Sequence, residues 1–348
     1  MVEANTASID QPTGTAPSAP VLDVRALRTV LHLPGQRVYP VDGASFALAR
    51  GETLAIVGES GSGKSMTAAS IMRLLPRDIA RVVGGQVLFG GRDLLTLSDA
   101  DMRGVRGTGI GFMPQDPMTA LNPSLTIGYQ VGEPLLVHER VSRQAARSRA
   151  VELLKKTGIA NLPAILDAYP HQLSGGMRQR VVLSMSLICR PTVLIADEPT
   201  TALDVTTQEQ IIDLLQEIQV ESGLSLILIT HDLGVVARIA DQVLVMYAGR
   251  PAEHGAVDDI FYRPSHPYTR GLLRSVDFES YAARERLQSI PGVPPRLDAL
   301  QGGCAFHPRC PYAREICRQV APPFVGGPSL PSITACHVAH LGELEPWQ

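Results

Sequence analysis

Four short, uninterrupted apolar runs stand out along the chain: LAIVG after Thr53, VLIAD at 193–197, LSLILI at 224–229 and VLVMY at 243–247. Each has the length of one strand buried on both faces, whereas a half-exposed strand would alternate. Segments with helical periodicity separate them. MTAASIMRLL aligns Met66, Ala69, Ile71, Met72 and Leu75 and predicts a helix stopped by Pro76. TTQEQIIDLLQEIQVESG does the same with Ile211, Ile212, Leu214, Leu215 and Ile218. SRQAARSRAVELLKKTG predicts an amphipathic helix within a polar, helical stretch from Leu121 to Leu183. Buried strands alternating with helices predict an α/β fold around a parallel sheet. Residues 21–50 alternate more loosely: VLDVRALRTVL reads as one strand, and ASFAL as a second that resumes after a turn at Val41-Asp42-Gly43. Residues 82–97 read as two short strands around glycines, and GIGFM as a strand ending at Pro114.

Composition changes the picture at the two ends. Residues 1–20 are rich in Ala, Ser, Thr and Pro without an apolar stretch, which predicts a disordered tail and no secretion signal. Beyond Tyr262 the chain shifts towards Pro, Gly and Cys, so a domain boundary is expected there, dividing 21–262 from 263–348. A hydrophobic content of 45% with 19% charged residues excludes wholesale disorder. A net charge of -3 and 5% aromatics argue against a surface that coats or stacks on nucleic acid. No apolar run approaches the roughly 18 residues of a membrane span. A role at a membrane would therefore run through partners.

The glycine-rich turn after the first apolar run carries chemistry. Gly58-Glu59-Ser60-Gly61-Ser62-Gly63-Lys64-Ser65 fits G-x-x-x-x-G-K-[ST] between a predicted strand and a predicted helix. The glycines let backbone N–H groups converge on phosphate oxygens, and the helix N-terminus adds a favourable dipole. Lys64 is expected to reach the β- and γ-phosphates, and the Ser65 hydroxyl to ligate Mg²⁺. Asp197 ends a buried strand, where a carboxylate can hold Mg²⁺ through water, and Glu198 can polarise an attacking water. Leu173-Ser174-Gly175-Gly176-Met177 opens another helix and offers a second anion-binding turn. One nucleotide does not need two cradles, so the second is expected to serve a nucleotide held by a facing subunit.

Taken in order, residues 58–65, Gln115, LSGGM, VLIADE, Thr201–Asp204 and His231 resemble the ATP-binding subunit of an ABC transporter over about residues 21–262. The resemblance implies a P-loop NTPase with a RecA-like parallel core, an N-terminal antiparallel β subdomain and a helical signature subdomain at about 116–185. It implies a head-to-tail dimer closing on two ATP molecules. Gln115 would sense Mg²⁺ and water, Asp204 would lie at the dimer seam, and His231 would contact the γ-phosphate and orient Glu198. The family also stacks an aromatic residue on adenine, and Tyr39 lies in about the right region. A kinase or GTPase would give no reason for LSGGM. A soluble ABC ATPase acting on nucleic acid would commonly carry two cassettes or a long coiled coil.

GFMPQDPMTALNP, HPYTRGLL (266–273), IPGVPPRL (290–297) and GGCAFHPRCPYAREIC (302–317) narrow the resemblance to the oligopeptide/dipeptide/nickel importer branch. That branch implies ATP-driven uptake of short peptides, with nickel or another small solute as the alternative. It implies two transmembrane permease subunits, an extracytoplasmic solute-binding protein and a peripheral place on the cytoplasmic face of the membrane. Met118 and Met177 fit a subunit paired with a second, related ATPase, hence a heterodimer. Cys304, Cys310, Cys317 and Cys336 have spacings x5, x6 and x18, without the close pairs that zinc ribbons favour. Thiolate ligation of a larger cluster tolerates such spacing. The resemblance implies a structural [4Fe–4S] cluster at these four positions; zinc recruiting His307 or His337, or no metal, are the alternatives. Cys189 reads as an inert core residue on the signature helix.

Overall fold

The computed structural model describes residues 19–201, 203–275, 290–300, 302–327, 330–342 and 344. All but the last two residues of the tail expected over 1–20 lie outside them. Two sheets organise the rest. The smaller is antiparallel, with strands β1 (Leu22–Leu33), β2 (Gln36–Leu48), β4 (Ala80–Phe89) and β5 (Arg92–Asp93) in the order β2-β1-β4-β5. The larger contains β3 (Thr53–Val57), β6 (Ile110–Met113), β7 (Val193–Asp197), β8 (Ser225–Ile229), β9 (Gln242–Tyr247), β10 (Arg250–Ala256) and β11 (Ile333–Thr334). Its order is β11-β10-β9-β3-β8-β7-β6. The five strands from β9 to β6 run parallel, and β10 and β11 add an antiparallel edge.

The uninterrupted apolar runs are explained by what covers each face. On one face Leu54, Ile56, Val193, Ile195, Ile227 and Ile229 pack beneath the antiparallel sheet and helix α1 (Lys64–Ile71). On the other, Leu194, Ala196, Leu226 and Leu228 join the core of the helical unit. That unit comprises α3 (Pro117–Ala120), α4 (Ile127–His138), α5 (Arg143–Lys156), α6 (Leu162–Leu166) and α7 (Gly175–Leu187), after α2 (Asp99–Val105) beside the small sheet. Ser142 caps α5 by accepting from Ala145 N. Helix α8 (Val205–Ser222) starts at the Asp204 cap and ends at Gly223 in the left-handed region, with its five predicted apolar positions buried. Helices α9 (Leu233–Ile239), α10 (Val257–Tyr262) and α11 (Pro267–Arg274) complete the parallel half.

Two local expectations are corrected. Val41-Asp42-Gly43 is not a turn: β2 runs through it, and Gly43, at φ 87°, sits where the pairing with β1 shifts register. The turn lies instead at Pro34-Gly35, between β1 and β2. Residues 82–97 do hold two strands around glycines, β4 and β5, divided at Gly90-Gly91. Strand β4 continues through Gly84-Gly85, and a Cβ on Gly85 would stand 2.5 Å from the Ala26 carbonyl oxygen, so this glycine serves a bulge. Helix α1 ends before Pro76: Met72 caps it and Arg73 turns left-handed at φ 51°.

The Cys-rich segment does not stand apart from the cassette. Tyr268 and Phe306 are buried against Val57, Val245 and Tyr247, with Ile290, Leu297 and Leu300 packed alongside, and β11 extends the main sheet.

Candidate functional site

The glycine-rich loop leaves the carboxyl end of β3, the central position of an open parallel sheet where such folds bind ligands. Two of its glycines are enforced by close approach. A Cβ on Gly58, at φ 148°, would lie 2.2 Å from the Met246 carbonyl oxygen, and one on Gly63, at φ 103°, would lie 2.1 Å from that of Pro40. The loop thus wedges between β9 and the Tyr39-Pro40 segment of β2. Tyr39 itself lies under the Arg28 guanidinium, 4.3 Å from its ring centre.

Among the described residues, no backbone carbonyl accepts from the N–H groups of Ser60, Gly61 or Gly63. The first-turn N–H groups of Lys64 and Ser65 have no intrahelical partner by helix geometry. The Ser62 hydroxyl is buried without a partner. Lys64 folds back over the loop, its Nζ donating to Gly58 O at 2.8 Å and Glu59 O at 3.1 Å. Burial lowers the pKa of this lysine, opposed by the charges of Glu198 and Asp197. A ring of unspent donors around a buried cation fits a polyphosphate.

The acidic side of the site comes from the ends of neighbouring strands. Asp197 closes β7 and accepts from Ser65 Oγ at 3.0 Å; burial pushes its carboxyl above the ordinary range, the Ser65 bond opposing. Glu198 adopts φ 48°, a left-handed conformation that costs about 1–2 kcal/mol in a non-glycine residue. Its N–H donates to Ile229 O at 2.8 Å, which turns the carboxylate out over the strand ends. There Glu198 Oε2 accepts from Gln115 Nε2 at 2.9 Å and from Thr201 Oγ1 at 2.8 Å. His231 Nδ1 stands 3.6 Å from Oε1. Residues after β3, β6, β7 and β8 therefore converge, and the predicted Lys64, Ser65, Gln115, Asp197, Glu198 and His231 form one constellation. It can hold a metal–polyphosphate and present a carboxylate to a water molecule.

The second predicted cradle is built elsewhere. Ser174 caps α7 and accepts from Met177 N at 3.3 Å, Leu173 is buried, and Met177 packs on the helical core. A Cβ on Gly175 would meet open space, whereas one on Gly176 would stand 3.0 Å from the Thr207 methyl group. Asp204 accepts from Thr207 N at 3.0 Å and Thr207 Oγ1 at 2.8 Å, and these bonds hold its carboxyl below the usual range. Ala202 lies outside the described residues. The hydrogen bonds, ion pairs and core clusters of the described residues do not join 173–177 to 58–65.

All five cysteines are free. Cys304 N donates to Cys317 O at 2.8 Å, and Cys317 and Cys336 are buried with Cys304 packed against them. Burial pushes the Cys310 thiol up to about 12 and the Cys336 thiol up to about 11, with the other thiols adding repulsion. Among the described residues, no group of three or more His, Cys, Asp or Glu side chains is arranged to hold a metal ion. His307 Nδ1 faces Cys304 O and His337 Nε2 faces Val320 O. Cys189 lies just past the end of α7, packed against the helical core, with its thiol raised to about 11.

The sequence reading missed three contributors. Thr201 was noticed only as part of a motif. Tyr268, whose hydroxyl accepts from Glu59 N at 2.9 Å, and Arg309, which pairs with the Glu59 carboxylate, reach the loop from the C-terminal segment. Both lie in stretches that carry the narrower resemblance, HPYTRGLL and GGCAFHPRCPYAREIC, but nothing local to either shows that it reaches the loop.

Residues 41–201 match the family described as ABC transporter, and residues 252–317 match the oligopeptide/dipeptide transporter C-terminal region. The dipeptide transport ATP-binding protein DppD of Bacillus subtilis (strain 168) is 54% identical over 302 residues, 87% of this chain and 90% of its own length. The oligopeptide transport ATP-binding protein OppD of Salmonella typhimurium (strain LT2) is 48% identical over 88% of this chain and 90% of its own. The dimeric structure of a post-hydrolysis state of the ATP-binding cassette MJ0796 bound to ADP and Pi is similar at a TM-score of 0.62. It is 28% identical and covers 68% of this chain and 98% of that one.

Proposed function

The chain belongs to the ATP-binding subunits of ABC transporters, in the branch with the oligopeptide/dipeptide C-terminal region, and from this premise we propose that it hydrolyses ATP to drive uptake of short peptides. The observation that carries the catalytic part is the convergence of Lys64, Ser65, Asp197 and Glu198 around a loop with unspent donors. The peptide substrate rests on the relatives.

In this reading the backbone of Gly58–Ser65 and Lys64 hold the phosphates. Ser65, Gln115 and Asp197 would hold Mg²⁺, which neutralises charge on the phosphate oxygens when bound. Glu198 takes up the proton of the attacking water. Gln115 and Thr201 hold the Glu198 carboxylate in place, and His231 orients it and contacts the γ-phosphate. Leu173–Met177 serve the ATP held by a second, related ATPase, with Asp204 at the seam between the two. Two permease subunits and an extracytoplasmic solute-binding protein complete the transporter, which this chain joins at the cytoplasmic face. No helix of the described residues is long and apolar enough to cross a membrane.

The division into 21–262, with a helical subdomain at about 116–185, and 263–348 is kept as part of the proposal. So is a [4Fe–4S] cluster on Cys304, Cys310, Cys317 and Cys336, with Zn²⁺ as the alternative. Four free thiols gathered in one corner support it, since thiolate ligands of such a cluster surround a body larger than one ion.

The test is the assembled transporter in proteoliposomes, supplied with ATP and a binding protein loaded with di- to pentapeptides. Peptide uptake that stops in Lys64→Ala is expected. ATP hydrolysis with nickel uptake and no peptide uptake would overturn the substrate, and no hydrolysis at all would overturn the whole reading.

A further inference from the structure

We infer that Arg309, in the C-terminal segment, is a positioning residue of the ATP site: it neutralises the Glu59 carboxylate and holds it away from the phosphates. The inference rests on the proposed ATP site.

Glu59 stands second in the phosphate-binding loop, between Gly58 and the donors of Ser60, Gly61 and Gly63. A free carboxylate there would repel a polyphosphate, and it would compete for the same N–H groups. The structure shows it turned to a guanidinium instead. Arg309 Nη1 donates to Glu59 Oε2 at 2.7 Å and Nη2 to Oε1 at 3.0 Å, the paired geometry in which a guanidinium binds a carboxylate most firmly. The Arg309 side chain is 5% exposed and that of Glu59 25%.

Arg309 is itself fixed. Its Nε donates to Pro291 O at 2.9 Å, Nη2 also to Ile290 O at 3.2 Å, and Nη1 also to the Tyr247 hydroxyl at 3.3 Å. The main chain of Glu59 is gripped from the same side, where its N–H donates to the hydroxyl of the fully buried Tyr268. Tyr268 packs in turn on Tyr247 and Phe306, with ring centres 4.6 and 5.4 Å apart. Side chain and backbone of one loop residue are thus both set by residues at the back of the loop. Among the described residues, the N–H groups of Ser60, Gly61 and Gly63 are not drawn into backbone hydrogen bonds.

A purely mechanical brace would share this geometry, and charge separates the two. The experiment is calorimetric titration of the full chain with MgATP. Wild-type binding that disappears in Lys64→Ala establishes the site; its failure sinks the ATP reading without reference to Arg309. Arg309→Ala is expected to weaken MgATP binding about tenfold or more, and Arg309→Lys less, since lysine keeps the charge and loses the fork. Adding Glu59→Gln to Arg309→Ala removes the liberated charge and is expected to bring affinity back to within about threefold of wild type. Arg309→Ala protein that melts as wild type does and binds MgATP equally well overturns the inference. So does a double variant no better than the single, because the loss is then one of packing. Should Arg309→Ala not fold, Arg309→Gln compared with Arg309→Gln/Glu59→Gln gives the same contrast through an uncharged, hydrogen-bonding pair.

Discussion

Replacing Glu198 by glutamine tests the catalytic proposal at its centre. The two donors that converge on Glu198, Gln115 Nε2 and Thr201 Oγ1, both reach Oε2, at 2.9 and 2.8 Å. A glutamine of the same shape can place its carbonyl oxygen there and keep both bonds. Its amide would then take the place of Oε1, 3.6 Å from His231 Nδ1, without a clash. The fold and the left-handed backbone are untouched, so what disappears is the proton acceptor. A positioned base contributes about 10²–10⁴-fold, or roughly 2.7–5.4 kcal/mol of barrier at about 1.36 kcal/mol per decade. ATP affinity moves the other way, because one of the negative charges beside Lys64 is removed. The assay is phosphate release by the assembled transporter, with size-exclusion chromatography to detect a closed, ATP-bound ATPase pair. A fall of about 10² or more with ATP still bound is the expected result. A rate within about threefold of wild type, or a loss of ATP binding, would refute the assignment of Glu198 as base.

Other outcomes follow from the same geometry. Gly58→Ala forces a Cβ against the Met246 carbonyl oxygen and is expected to lower the urea midpoint by the equivalent of about 3 kcal/mol; Gly61→Ala, at φ 76° in open space, costs about 1–2 kcal/mol. Asp197→Asn should stabilise the nucleotide-free chain at pH 7 while abolishing turnover. Burial raises the folded-state pKa of Asp197, so its contribution to stability is full below the unfolded-state pKa and is lost as pH rises through the raised value. Urea melts at pH 7 should therefore separate the two proteins, and melts near pH 4 should bring them together. If the cysteine corner holds a [4Fe–4S] cluster, anaerobically purified chain contains about four iron and four sulfide, lost in Cys310→Ser; zinc alone in the same assay would select the alternative.

What the sequence made legible is what depends on short-range pattern. The strands β3, β7, β8 and β9 were readable because both of their faces are buried, leaving no polar position to blur them. The phosphate loop is legible because two of its glycines, Gly58 and Gly63, are forced by carbonyl oxygens at 2.2 and 2.1 Å. The glycines at 43 and 85 have positive φ as well, yet they serve bulges inside long strands. A turn and a bulge ask the same thing of one residue, and only the partner strand distinguishes them. Strand β10, RPAEHGA, is not legible in the sequence because it carries an acidic side chain into the core. Glu253 is fully buried there, accepting from Ser265 N, His266 N and Ser332 Oγ, which replace the water it has lost. The Arg309–Glu59 pair spans 250 residues, beyond any local periodicity.

The composition boundary near Tyr262 is not an energetic boundary. Glu253 lies on the cassette side, but the groups that satisfy it, Ser265, His266 and Ser332, lie on the other. Tyr247 ends a strand of the cassette sheet, and the rings that cover it, Tyr268 and Phe306, come from beyond the boundary. Strand β11 pairs with β10 through Thr334 and Glu253, so the main sheet itself is finished by the C-terminal segment. A segment attached only to tether a cysteine cluster would need none of these contacts. The geometry instead makes it the rear wall of the phosphate loop, with Cys310 adjoining the arginine that holds Glu59. Cys310 is one peptide bond from Arg309, so replacing Cys310 is expected to change nucleotide affinity before it disturbs the helical unit.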